Sequence, residues 1–166
     1  MSNKKMSAEP IEKFDPTPSP WAEPRDIRDL FSYRLAYLVR LNDRHAQTVL
    51  IEQYGITLGE WRTLATIRCL GTPSLRHLAR TTQQDEGLLS RYVTGLIKRA
   101  LLEKRTSAED QRVVELSLTE KGEALHGEVM IFAWKLNQEM FTDLSAKEQT
   151  HLLLLLDKLF QKVAKF

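Results

Sequence analysis

From Asp26 to about Tyr54, apolar residues return every three or four positions: Ile27, Leu30, Phe31, Tyr37, Leu38, Leu41, Val49 and Ile51. That spacing predicts one long helix, ended by Gly55. The stretch TLGEWRTLATIRCL predicts a second helix, with Thr57 and Glu60 as a capping box and Gly71 and Pro73 as stops. A short helix follows over 74–81, SLRHLART, with Ser74 as N-cap. After a polar turn, Asp85 caps EGLLSRYVTGLIKRALL, whose Leu89, Val93, Leu96, Ile97, Ala100 and Leu101 fall on one stripe. Beyond Leu102 the period changes to two. EKRT and RVVELSL then predict a β-hairpin with Val114, Leu116 and Leu118 on one face. Thr119 caps a helix of about 120–142, and Ser145 with Glu148 caps a last one of about 146–165.

This order defines a fold class: mainly α with a small β-hairpin wing. A short helix, a tight turn, a second helix and a hairpin make a winged helix-turn-helix. Here it spans about 57–118, flanked by helices of about 26–54 and 120–165. The last helix, EQTHLLLLLDKLFQKVAKF, carries more apolar surface than one side of a small domain can cover. A second copy of the chain covers it economically. Residues 1–25 are set apart, with five of the six prolines. They predict an extended, solvated arm, with Phe14 and Trp21 as its contacts if it lies over a partner subunit.

Composition narrows the classes. The net charge of +2 is too small to name a partner. Within Leu75 to Arg112, eight basic residues face five acidic ones, a surplus of three that exceeds the whole chain's. A basic surplus gathered there agrees with a nucleic-acid surface. The single cysteine, Cys69, excludes an internal disulfide framework and a cysteine zinc site, and suits a cytoplasmic location. The four histidines are scattered singly, so no metal or cofactor is expected. No apolar run approaches a membrane span. No nucleophile–base set or phosphate loop is legible, which argues against an enzyme.

The helix after the turn has the residues of a reader of DNA. Its outward face carries Gly87, Leu88, Ser90, Arg91, Thr94, Gly95 and Lys98. Arg91 suits a guanine or a phosphate, and Leu88 a thymine methyl. Small Gly87 and Gly95 suit a close backbone approach to DNA. At the hairpin tip, Arg112 suits a narrow minor groove, and Asp110 stands two residues away to brace its guanidinium.

The stretch from EWRTLATIRCL to LSLTEKGEAL resembles the multiple antibiotic resistance regulator (MarR) family of transcription factors. Its most specific parts are LLSRYVTGLIKRALLEKR, the tip EDQRV and LSLTEKG. The resemblance covers roughly residues 26–165. It implies a homodimer, joined by dimerisation helices of about 26–54 and 120–165, on a pseudo-palindromic double-stranded operator. The DNA contacts it implies are Ser74, Arg76, Gln84, Gly87, Leu88, Ser90, Arg91, Thr94, Lys98, Asp110, Gln111 and Arg112. Gln111 stands where the family's wing usually has Arg, and Ala100 where it commonly has Gly. The resemblance further implies a repressor released by a small aromatic or anionic ligand, an aromatic acid or its thioester. Tyr33, Arg34, Tyr37, His45, Trp61 and Arg62 are the candidate ligand residues. Against this stands the plain alternative that aromatics at helical spacing are packing residues. Two other readings stay open: a ligand-insensitive or architectural DNA binder, and a redox-responsive repressor acting through Cys69. A free cysteine closing an apolar helix face usually packs as a small hydrophobe.

Overall fold

The computed structural model describes residues 23–107 and 110–165. Most of the proline-rich arm, with Phe14 and Trp21, lies outside them. The chain divides into two units, up to His45 and from Ala46 onward.

In the first unit, helix does not begin at Asp26. A 3-10 turn, Ile27–Asp29, comes first, with Leu30 extended (ψ 128°) before α1, Phe31–Tyr54. Local charge explains the break. Asp26 accepts from the Arg28 guanidinium and backbone, which lowers its pKa to about 2. Asp29 accepts from the Arg25 side chain and backbone, which also lowers its pKa. These bonds favour a tight turn over a continuous helix.

The second unit holds the end of α1, then α2 (Leu58–Leu70), α3 (Leu75–Thr82), α4 (Glu86–Lys98), β1 (Leu102–Thr106), β2 (Val114–Leu118), α5 (Glu120–Met140) and α6 (Ala146–Val163). The five caps expected from sequence are present. Thr57 and Ser145 close reciprocal boxes with Glu60 and Glu148. Ser74, Asp85 and Thr119 accept from the amides of His77, Leu88 and Gly122. Each satisfies an amide that the first helical turn leaves without a partner. The core gathers Leu50, Ile56, Trp61, Leu64, Ile67, Leu78, Leu89, Val93, Leu96, Leu102, Leu116 and Val129.

The hairpin is antiparallel, from Leu102 opposite Leu118 to Thr106 opposite Val114. Leu116 is buried and Leu118 half-buried, but Val114 is 48% exposed, because the outer end of the wing projects beyond the core. The base of β2 is stitched to the helices: Leu116 N donates to Pro73 O (3.0 Å), and Ser74 bridges Glu115.

The helix after the turn ends at Lys98, short of Ala100 and Leu101. Leu101 N donates back to Leu96 O (2.9 Å) and Ala100 N to Ile97 O (2.8 Å). These two bonds form a Schellman closure. It puts Ala100 in the left-handed region, φ +56°. Glycine suits that position because a Cβ there crowds the following carbonyl, by roughly 1 kcal/mol or more. Ala100→Gly is therefore expected to stabilise the chain by about 0.5–1 kcal/mol, after the entropy glycine adds to the unfolded state. Thermal unfolding checks this; an unchanged or lower Tm would refute it.

Candidate nucleic-acid interface

Two short helices and the wing form the candidate surface. α3 and α4 pack through Leu78, Leu89 and Val93, all buried. Between them Gln83 takes the left-handed conformation (φ 52°, ψ 36°) and Gln84 N donates to Ala79 O. This makes the turn tight enough to place α4 directly after α3. Leu89, Val93 and Leu96 face the core, as their spacing predicts.

The opposite side of α4 is open. Gly87, Ser90, Arg91, Thr94 and Lys98 are exposed, as are Arg76 on α3 and Gln84 in the turn. Among the described residues, Arg76, Arg91, Lys98 and Arg112 have no ion-pair partner, so their charges remain available to phosphates or base edges. Three residues differ from expectation. Leu88 is half-buried. Ser74 is half-buried and its hydroxyl accepts from His77 N (3.2 Å), so it serves as a cap first. Gly95 is half-buried, and a Cβ there would lie 3.0 Å from Glu60 Oε1. Its small size therefore accommodates α2.

At the wing tip, Asp110, Gln111 and Arg112 are exposed. Asp110 does brace Arg112, but through the backbone: Arg112 N donates to Asp110 Oδ1 (2.9 Å). This is an Asx turn, in which a carboxylate two residues earlier reaches the amide more readily than the distant guanidinium. Val113 N closes the same turn on Asp110 O (2.9 Å), and Ser107 N donates to Val113 O (2.9 Å). The Arg112 side chain is thus carried on a fixed backbone with its guanidinium unspent. Sequence reading passed over Lys104 and Arg105 on the wing and His77 in the first turn of α3, all exposed.

The six ligand candidates fall in both units. In the first, Arg40 lies 5.8 Å and 5.9 Å from the ring centroids of Tyr33 and Tyr37. Arg34 donates to Arg28 O (2.8 Å) and pairs with Asp29 (3.6 Å), and His45 is exposed. In the second, Trp61 is buried, with its ring centroid 5.5 Å from that of His126, and Arg62 is exposed. The three rings and the Arg34 guanidinium are engaged by protein groups. A cavity of about 480 Å3 lies elsewhere in the second unit, lined by Tyr54, Gly55, Ile56, Arg99, Leu101, Lys121, Ala124, Leu125 and Glu128. Nothing in the spacing of these residues marked it. Cys69 is exposed rather than packed, because α2 turns that side to solvent at its last turn.

Residues 56–114 match the model of the MarR family. A curated relative, the HTH-type transcriptional regulator BilQ of Clostridium symbiosum (strain WAL-14163), is 29% identical over 109 residues, 66% of this chain and 76% of that protein. Residues 56–114 thus form a MarR-family domain. Two solved structures agree. Apo MarR from E. coli is 28% identical, with a TM-score of 0.66 over 76% of this chain and 94% of that one. Bordetella bronchiseptica BpsR is 25% identical, with a TM-score of 0.71 over 82% and 97%. The chain is thus a DNA-binding transcriptional regulator with a winged-helix fold. Among the described residues no helix is long and apolar enough to cross a membrane.

Proposed function

We propose that this MarR-family regulator acts in the cytoplasm as a homodimeric repressor, released from a pseudo-palindromic operator by a small aromatic or anionic ligand. The observation that carries the reading is the joint outward display of Arg91 and Lys98 on α4 and Arg112 on the wing tip. A basic helix face and a basic wing tip on one module suit a major groove and the minor groove beside it. Dimerisation rests on apolar side chains left outside the core: Trp134 on α5 is 58% exposed and Phe160 on α6 is 73% exposed. α6 has no buried residue at all. A second copy would remove that surface from water and set two recognition helices at a fixed spacing. In BpsR, DNA binding is regulated by 6-hydroxynicotinic acid. By analogy, the roughly 480 Å3 cavity of the second unit is the place we assign to an effector, with Lys121 beside an apolar floor.

The test uses DNA upstream of the gene that carries an inverted repeat. Light scattering should give a dimer. An electrophoretic shift should weaken steeply with salt, and benzoate, salicylate or 6-hydroxynicotinate should release the DNA. A monomer, or binding equal to that on scrambled DNA, would overturn the reading. Binding that resists every acid supports the ligand-insensitive alternative. Since Cys69 is exposed, the same assay with peroxide tests the redox alternative.

A further inference from the structure

Arg99, directly after α4, stands where four elements of the second unit meet. Its Nε donates to Gly95 O of α4 (3.2 Å) and its Nη1 to Gly55 O at the end of α1 (2.7 Å). Its Nη2 pairs with Glu60 Oε1 in the first turn of α2. Lys121 Nζ, from α5, donates to the Arg99 carbonyl (3.1 Å). Glu60 is used twice, since Oε2 accepts from Thr57 N (2.9 Å) and Thr57 Oγ1 (3.0 Å). The two side chains are sheltered, Arg99 at 34% and Glu60 at 15% exposure.

We infer that the Arg99–Glu60 pair is a positioning latch that sets the angle of the recognition helix, and thereby specific affinity for the operator. A planar guanidinium bonded to three acceptors on three segments permits one mutual placement of those segments; an ammonium, with a single centre, does not. Gly95 belongs to the same device, because a methyl there would press on Glu60 Oε1 at 3.0 Å. The consequence for DNA is selective. Base-edge hydrogen bonds fail with a small tilt of α4, whereas attraction to phosphates tolerates it.

The inference rests on the DNA-binding assignment, and the experiment separates the two. Affinity is measured at one salt concentration for operator and scrambled DNA, with parent, Arg99→Lys, Glu60→Gln and the double variant. Glu60→Gln keeps an amide oxygen for the Thr57 cap, so it stays informative if Arg99→Lys unfolds. Each single variant should lose about tenfold in operator affinity, equivalent to about 1.4 kcal/mol. Affinity for scrambled DNA should stay within about twofold, because that term is set by phosphate charge. The double variant should be no worse than the poorer single one, as expected for two halves of one contact. A merely structural role would lower the Tm and leave the operator-to-scrambled ratio of the folded fraction unchanged. Such a ratio, or additive losses, would overturn the latch alone. A parent without operator preference would overturn the DNA-binding assignment with it.

Discussion

Gly122→Ala is expected to be among the most destabilising single-methyl additions in this chain. Gly122 is buried in the first turn of α5, and a Cβ there would lie 2.1 Å from the Leu101 carbonyl oxygen. That oxygen belongs to backbone and cannot rotate away. It is also held in place, since Thr119 N donates to it (3.2 Å) and Thr119 Oγ1 to Ala100 O (2.7 Å). The added methyl must therefore push α5 off the base of the wing. Overpacking of this kind reaches roughly 3 kcal/mol, or a Tm fall of about 6–12 °C for a chain of this size. Gly127, later on the same helix and exposed, has nothing within 4 Å of its Cβ position. Gly127→Ala should instead stabilise by about 0.5–1 kcal/mol, through helix propensity alone. Thermal melts of the two variants side by side check both signs. A Gly122→Ala melt within error of the parent would show that the wing base yields, and that the contact does not fix α5.

The same contact explains why the segment TEKG was so specific a marker. Thr119 caps α5 and donates to the closure of α4, Lys121 reaches the Arg99 carbonyl, and Gly122 lets the helix lie against Leu101. A cap is visible in sequence because it acts within a few residues, whereas Gly122 meets Leu101, twenty-one positions earlier. The five N-caps were legible for that reason: the oxygen and the amide it serves are separated by three positions. The period change at Leu102 was legible because burial repeats along each element. The end of α4 was not, since Ala100 continues the apolar stripe and only the bonds from Leu101 N and Ala100 N reveal the left-handed closure.

The site divides along the same line. Which side of α4 faces outward follows from its own periodicity, so Ser90, Arg91, Thr94 and Lys98 were placed on the open face. What Gly95 meets depends on Glu60, thirty-five positions earlier, and no local pattern carries that. Trp61 offered an aromatic face in sequence, but its partner His126 comes from α5. The cavity beside Arg99 joins residues from 54 to 128. No spacing in the sequence marks it, because cavities arise where elements fail to fill space between them.

Arg112→Ala should weaken operator binding by about 1–3 kcal/mol, roughly five- to 150-fold, and leave the Tm unchanged. The stability expectation follows from exposure: among the described residues the guanidinium has no ion-pair partner, and the backbone turn does not need it. The effect on DNA follows from a charged group delivered to a narrow groove by a backbone that is already ordered, so that little chain entropy remains to be lost. The role of Asp110 then separates two kinds of brace. If its carboxylate steadied Arg112 by charge, Asp110→Asn and Asp110→Ala would weaken binding alike. The observed acceptor is Oδ1 and the donor is the Arg112 amide. Asparagine keeps an oxygen able to accept that bond, and it removes a negative charge that DNA phosphates repel. Asp110→Asn should therefore bind as tightly as the parent or tighter, while Asp110→Ala loses affinity because the turn loosens. Titrations of labelled operator at fixed salt measure all three. Equal losses for the asparagine and alanine variants would reject the backbone brace in favour of the charge brace.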